Sequence, residues 1–131
     1  MTTLVDANVL LDIITEDEQW ASRSADALSA AAAQGDVAIN PIVYAEVSLA
    51  YDTIEALDAA LQGLTRLALP YEAGFLAARC YLRYRKSGGR RRSPLPDFYI
   101  GAHAAIDGHD LLTRDSKRYR SYFPRLRVVS P

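Results

Sequence analysis

Five short, nearly all-apolar runs punctuate the chain at Thr3–Val5, Val37–Ile39, Leu67–Leu69, Leu111–Thr113 and Leu126–Val129, with helix-length segments between them. Runs that are apolar throughout, rather than at alternate positions, suit strands buried on both faces, and intervening helices suit parallel crossovers. The expected fold is therefore α/β, with a short, mostly parallel sheet flanked by helices. Asn8 reads as the N-cap of a helix reaching Ile14. An Ala-rich helix over Gln19–Gln34 stops at Gly35, and Asn40 with Pro41 opens Ile42–Tyr51 as N-cap and N1. Further helices are expected over Ile54–Thr65, Tyr71–Lys86 and Asp97–Ile106, with a short turn after Asp115. The 131 residues are half hydrophobic, enough for one core, so a single domain over 1–131 is expected.

The lone cysteine, Cys80, can form no internal disulfide, and no Cys/His cluster has the spacing of a zinc site. A reducing cytoplasm fits. The N-terminal apolar run is broken by Asp6, Asn8 and Asp12 and has no basic segment before it, so neither a signal peptide nor a membrane span is expected. Nucleotide-binding glycine loops of the G-x-G-x-x-G or G-x-x-x-x-G-K type are absent from the sequence.

Four acids stand where an α/β fold binds ligands, beyond the C-terminal ends of its strands. Asp6 follows the first run directly, and Asp115 follows Leu111–Thr113. Each has an ordinary explanation when taken alone, as a strand-end or helix-cap acid for Asp6 and a turn cap for Asp115. Glu46 is less easily explained: its helical neighbours Ile42, Val43, Leu49 and Ala50 are all apolar, which puts it on an inward stripe. Asp97 opens a helix, where the dipole favours an acid, yet its face continues through Ile100, Gly101 and Ala104. None of the four has an evident local cation. Converging carboxylates repel one another unless protonated or neutralised, and all-oxygen ligands select a hard cation, Mg²⁺ or Mn²⁺. Such an ion activates water and stabilises phosphoryl charge.

In that order, the segments VDANVLLD from Val5, YAEV from Tyr44, PDFYIGAHA from Pro96 and LTRDSKRYRSYFP from Leu112 resemble the four acidic motifs of the PIN domain, and most closely those of VapC ribonuclease toxins. The resemblance spans the whole chain. It implies a parallel five-stranded sheet, Mg²⁺- or Mn²⁺-dependent endoribonuclease activity, homodimers and a cognate VapB-like antitoxin. By position, Asp6, Glu46, Asp97 and Asp115 match the family's catalytic, metal-holding acids. Asn8 and Thr113 match the polar residues that support them. His103 matches no acid motif and is expected to be packed in its helix.

Charge is split along the chain. Residues 1–78 carry 12 acids and only Arg23 and Arg66, whereas residues 79–131 carry 13 Lys/Arg and four acids. Arg90, Arg91 and Arg92, with Arg114 and Lys117 beside Asp115, are candidate RNA-phosphate contacts. Tyrosines interleaved among the basic residues could stack on unpaired bases. Solvated arginines and core tyrosines would give the same pattern. Two rival readings stand beside the nuclease. A haloacid-dehalogenase-type phosphatase would want an acid two residues after Asp6, where Asn8 stands; the other rival is a non-catalytic nucleic-acid-binding scaffold.

Overall fold

The computed structural model describes residues 1–90 and 95–131. In chain order its elements are β1 (Thr3–Val5), α1 (Ala7–Ile14), α2 (Ala21–Gln34), β2 (Val37–Ile39), α3 (Pro41–Ser48), α4 (Ile54–Ala60), β3 (Thr65–Arg66), α5 (Tyr71–Lys86), α6 (Pro96–Asp107), β4 (Asp110–Leu112), α7 (Ser116–Tyr122) and β5 (Val128–Val129). The strands form one sheet in the order β3-β2-β1-β4-β5, and every pairing is parallel. Every residue of β1, β2 and β4 is buried, so the centre of the sheet is covered on both faces, as its apolar runs require.

The chain leaves β1 toward β2 and β3, then returns across the sheet through α5 and α6 to add β4 on the other side. The strand order therefore reverses beside β1, and its crevice lies where β1 and β4 end. Their register pairs Val5 with Leu112, so Asp6 and Thr113 are the next residues out on adjacent strands.

Several boundaries differ from the sequence expectation. The edge strands β3 and β5 are two residues each, and β3 lies at Thr65–Arg66, fully exposed, instead of at Leu67–Leu69. The central strand expected at Leu111–Thr113 starts one residue earlier, at Asp110. α3 stops at Ser48, whose hydroxyl donates to the Tyr44 carbonyl at 2.6 Å, and α4 stops at Ala60. The turn expected after Asp115 is a two-turn helix. No helix among the described residues is long and apolar enough to cross a membrane.

α6 packs on α5 and also contacts α3, α7 and β4. Gly101 on α6 lets Phe123 lie against the helix: a Cβ there would fall within the phenylalanine ring. Gly74 on α5 faces no such neighbour. Opposite effects follow. Gly101→Ala should destabilise by about 1–3 kcal/mol through overpacking. Gly74→Ala should stabilise by roughly 0.5–1 kcal/mol through helix propensity. Urea melts of the two variants check both signs.

Candidate active site

Asp6 stands between β1 and α1 with no linking residue. Its backbone N–H donates to the Leu112 carbonyl at 2.9 Å, extending the β1–β4 ladder, and the Thr113 hydroxyl donates to its Oδ2 at 2.8 Å. The cap expected of Asn8 belongs to Asp6. The acid has extended backbone and its Oδ1 accepts from Ala7 N at 2.8 Å. The reason is that the helix begins immediately after the strand, leaving Asp6 alone in the capping position. Asn8 falls inside the first turn. Its amide nitrogen reaches Thr113 Oγ1 at 3.3 Å and Asp6 Oδ2 at 3.4 Å, and its oxygen accepts from Arg114 N at 3.2 Å. Asn8 and Thr113 thus support the first acid. The buried Tyr119 hydroxyl, which the sequence reading missed, donates to Oδ2 at 3.1 Å. Oδ2 is saturated by these donors, so the free lone pair of Asp6 lies on Oδ1. Burial, with the charge of Asp97, pushes the Asp6 pKa up to about 6 despite the bonds from Thr113, Tyr119 and Ala7.

Glu46 is carried by α3, whose start is fixed by Asn40: the Asn40 side chain accepts from Val43 N at 3.0 Å. The expected inward stripe holds on one side only. Val43 and Val47 are buried, but Leu49 and Ala50 are exposed because the helix has already ended. Glu46 is half-buried, and its Oε1 is buried without a hydrogen-bond partner. Desolvation, helped by Asp6 and Asp97, raises its pKa to about 7.

Asp97 lies in the first turn of α6. The expectation that the acids lack a cation fails here: Arg118 Nη1 lies 2.6 Å from Asp97 Oδ2, and Arg118 Nε lies 3.5 Å from Asp115 Oδ2. Asp97 is close enough to raise the pKa of Asp6, and Asp6 and Asp97 are close enough to raise that of Glu46. Asp115 stands at the rim, 42% exposed, joined to the others through Arg118 and through its own N–H to Thr113 Oγ1 at 3.0 Å. Among the described residues, no three of the four acids bring carboxylate oxygens within 4.8 Å of one another. Arg118 offsets part of the charge that separates them.

Two of the acids, Glu46 and Asp97, line an open cleft of about 500 Å³ together with Arg118 on its polar side and Tyr84, Phe98 and Tyr122 on its aromatic side. An orphaned buried carboxylate oxygen on Glu46, one free lone pair on Asp6 and the adjacent Asp97 form an all-oxygen donor set. That set could hold a hard divalent cation such as Mg²⁺ or Mn²⁺. Asn8 leaves no acid two residues after Asp6, so the phosphatase reading gains nothing from the geometry.

The basic residues separate into two groups. Arg114, expected to face RNA, is turned onto the buried Asp12. Its Nε lies 2.7 Å from Oδ2 and its Nη2 2.9 Å from Oδ1, with the guanidinium 4.9 Å from the Trp20 ring centre. The buried acid must be paired, and this arginine pairs it. Lys117 is exposed on α7. The Arg90 N–H donates to the Tyr84 hydroxyl at 3.3 Å, so the basic loop starts at the cleft. Arg91 and Arg92 lie outside the described residues. As expected, His103 is fully buried in α6.

The PIN domain family model matches residues 3–124 of the chain. No curated protein matches it. Among solved structures, it is similar to a chain of VapBC2 from Rickettsia felis, solved bound to a promoter DNA fragment. That match has a TM-score of 0.75 at 19% identity, over 100% of this chain and 99% of that one. VapBC-1 from nontypeable Haemophilus influenzae gives a TM-score of 0.70 at 17% identity, covering 99% and 98%. A toxin–antitoxin complex from Klebsiella pneumoniae gives 0.70 at 23%, covering 97% and 95%. At these identities the likeness shows the fold.

The raised pKa of Glu46 makes a pH signature. An acid whose folded pKa lies above its unfolded value stabilises the fold below the unfolded pKa, and that contribution is lost as pH rises through the folded pKa. For Glu46 the window runs from about 4.5 to about 7. Glu46→Gln lacks the loss. In EDTA, the melting temperature of Glu46→Gln minus that of the parent should therefore increase between pH 4.5 and pH 8. A difference that stays flat with pH would mean that Glu46 is not held in a desolvated, acidic cluster.

Proposed function

The chain belongs to the PIN domain family, and from that premise we propose that it is a Mg²⁺- or Mn²⁺-dependent endoribonuclease, the toxin of a pair with a VapB-like antitoxin. The observation that carries the chemistry is the buried, unpartnered Glu46 Oε1 on a cleft shared with Asp97, where Asp6, Glu46 and Asp97 repel one another. When bound there, a hard divalent cation supplies an activated water and stabilises the charge developing on the phosphoryl oxygens and the leaving oxygen.

The chain's own residues provide the rest. Asp6 Oδ1, Glu46 and Asp97 would hold the cation, with Asp115 contributing from the rim. Thr113, Asn8 and Tyr119 fix the Asp6 carboxylate so that its free lone pair keeps one direction. Arg118 balances Asp97 until a cation takes that role, and its guanidinium then stands in the cleft where a substrate phosphate would lie. Tyr84 and Tyr122, both edge-on to Phe98, form an aromatic wall that suits unpaired bases. Arg90, Arg91, Arg92 and Lys117 are further proposed phosphate contacts.

The antitoxin assignment draws on solved neighbours that are themselves toxin–antitoxin complexes. For the proposed homodimer, Tyr71 and Phe75, one turn apart on α5 and both exposed, offer an apolar surface to a second copy.

Cleavage of single-stranded RNA should require Mg²⁺ or Mn²⁺. Asp6→Asn and Asp97→Asn should each lower the rate by at least about 100-fold while RNA binding persists. Arg118→Gln should separate two quantities, binding Mn²⁺ more tightly because a competing cation is gone, yet cleaving more slowly. Cleavage rates with and without EDTA, and Mn²⁺ affinity from electron paramagnetic resonance titration, check these outcomes. RNA binding with no metal-dependent cleavage by the parent would favour the scaffold reading.

A further inference from the structure

A second group of ligand-bearing side chains lies at the far end of α6. His103 and Asp107 are one helical turn apart, and His103 Nε2 lies 3.2 Å from Asp107 Oδ2. Gly108 ends the helix in the left-handed conformation, with φ of +70°, which turns the chain back at once. His109 N–H then donates to the Ala104 carbonyl at 2.9 Å, and His109 Nε2 comes to 3.9 Å from the same Asp107 oxygen. The three ligand atoms all lie within 4.8 Å of one another, the only such group of three or more His, Cys, Asp or Glu among the described residues. A tetrahedral ion with bonds of about 2.0–2.2 Å needs its ligands about 3.3–3.6 Å apart; the Asp107 oxygen is already 3.2 Å and 3.9 Å from the two imidazole nitrogens, and the histidines would close on each other from within 4.8 Å.

Two further observations mark the group as more than a local ion pair. His103 is 0% exposed, and its Nε2 has no hydrogen bond, although the carboxylate oxygen is near. That nitrogen becomes a free ligand atom once its proton is displaced, as metal binding to an imidazole requires. The group also sits at a helix C-terminus, where the macrodipole favours a cation. Asp107 is 40% exposed and His109 16%, which gives an ion a way in from solvent. We propose that His103, Asp107 and His109 form a binding site for a divalent transition metal of the zinc class, separate from the carboxylate cleft. Two imidazoles and one carboxylate select such an ion over Mg²⁺. The first turn of α6, which carries Asp97, is about 15 Å away along the helix.

Asn40 makes the site distinctive. Its Oδ1 accepts from Val43 N at 3.0 Å, so its amide nitrogen is the atom 3.1 Å from His103 Nδ1. Nδ1 must then accept, and the proton of the neutral ring sits on Nε2. Binding a metal at Nε2 moves that proton to Nδ1, which needs an acceptor in place of the Asn40 amide nitrogen. An aspartate at position 40 would accept from Val43 N with one oxygen and from His103 Nδ1–H with the other. That is the carboxylate–histidine–metal arrangement that strengthens such ligands.

The test is zinc competition against a chromophoric chelator, with the untagged chain at pH 7 and millimolar Mg²⁺. The parent should hold one zinc equivalent. His109→Ala and Asp107→Asn should each weaken it more than about tenfold, Asn40→Asp should tighten it by about tenfold, and Asp6→Asn should leave it unchanged. Zinc that is lost with Asp6→Asn but indifferent to His109→Ala would belong to the acidic cleft and overturn the site, as would a parent that retains no zinc. Unchanged affinity in Asn40→Asp would overturn the tautomer shift. Because the readout is zinc affinity and not cleavage, a failure of the nuclease reading leaves this result interpretable.

Discussion

Everything at the acid-bearing edge of the sheet depends on the parallel pairing of β1 with β4. Its register puts Asp6 beside Thr113, and a hydroxyl-to-carboxylate bond of 2.8 Å closes the ladder beyond its last backbone pair. From that bond the rest follows in short steps. Asn8 bridges Asp6 and Thr113, its oxygen holds the Arg114 backbone, and the Arg114 side chain locks the buried Asp12 of α1. The loop after β4 is thereby tied to the helix after β1 at both ends of one residue. A charge-assisted bond to a carboxylate contributes roughly 1.5–3 kcal/mol, so the loop that carries Asp115 is tethered to α1, and α7 presents Arg118 and Tyr119 to the acids.

The acids themselves are arranged against the interest of stability. Burial and mutual repulsion raise Asp6 and Glu46 well above ordinary carboxylate values, and Glu46 keeps an oxygen buried with no donor. A fold selected for stability alone would have paired or removed such a group. Arg118 relieves Asp97 and leaves Asp6 and Glu46 unrelieved. A single arginine can balance one carboxylate while the ion is absent, and must give it up where a small ion would meet all three. The strain is thus concentrated where a hard cation could remove it.

Much of this was legible in the sequence, and the failures have physical causes. The buried strands β1 and β2 and the helix α5 were read at their observed limits because unbroken apolar runs and a long helical stripe have few alternatives. The edge strands were misplaced because two-residue, partly exposed strands carry no apolar signal; β3 is held by pairing with β2. Asp6 was found by its place after a strand, and Asn8 and Thr113 through the resemblance to the PIN motifs, but the cap was given to Asn8 because sequence alone does not say that α1 starts without a linker. The Arg118–Asp97 pair joins residues 21 apart and has no local signature, whereas the Arg118–Asp115 contact, at i and i+3 on α7, could have been anticipated from helical spacing. Tyr119 reads as a core residue from its spacing to Phe123; nothing local says that its hydroxyl meets Asp6. His103, Asp107 and His109 escape notice because the grouping needs the left-handed turn at Gly108 to bring His109 back.

The most direct measurement is anomalous diffraction from crystals of the metal-free chain soaked in Mn²⁺. The expected map has a manganese peak in the cleft, within about 2.0–2.5 Å of Asp6 Oδ1, with Glu46 and Asp97 oxygens turned toward it and the Arg118 guanidinium withdrawn from Asp97. A cleft that stays empty at saturating Mn²⁺, with Arg118 still on Asp97 and Glu46 Oε1 still unpartnered, would contradict a metal-dependent site.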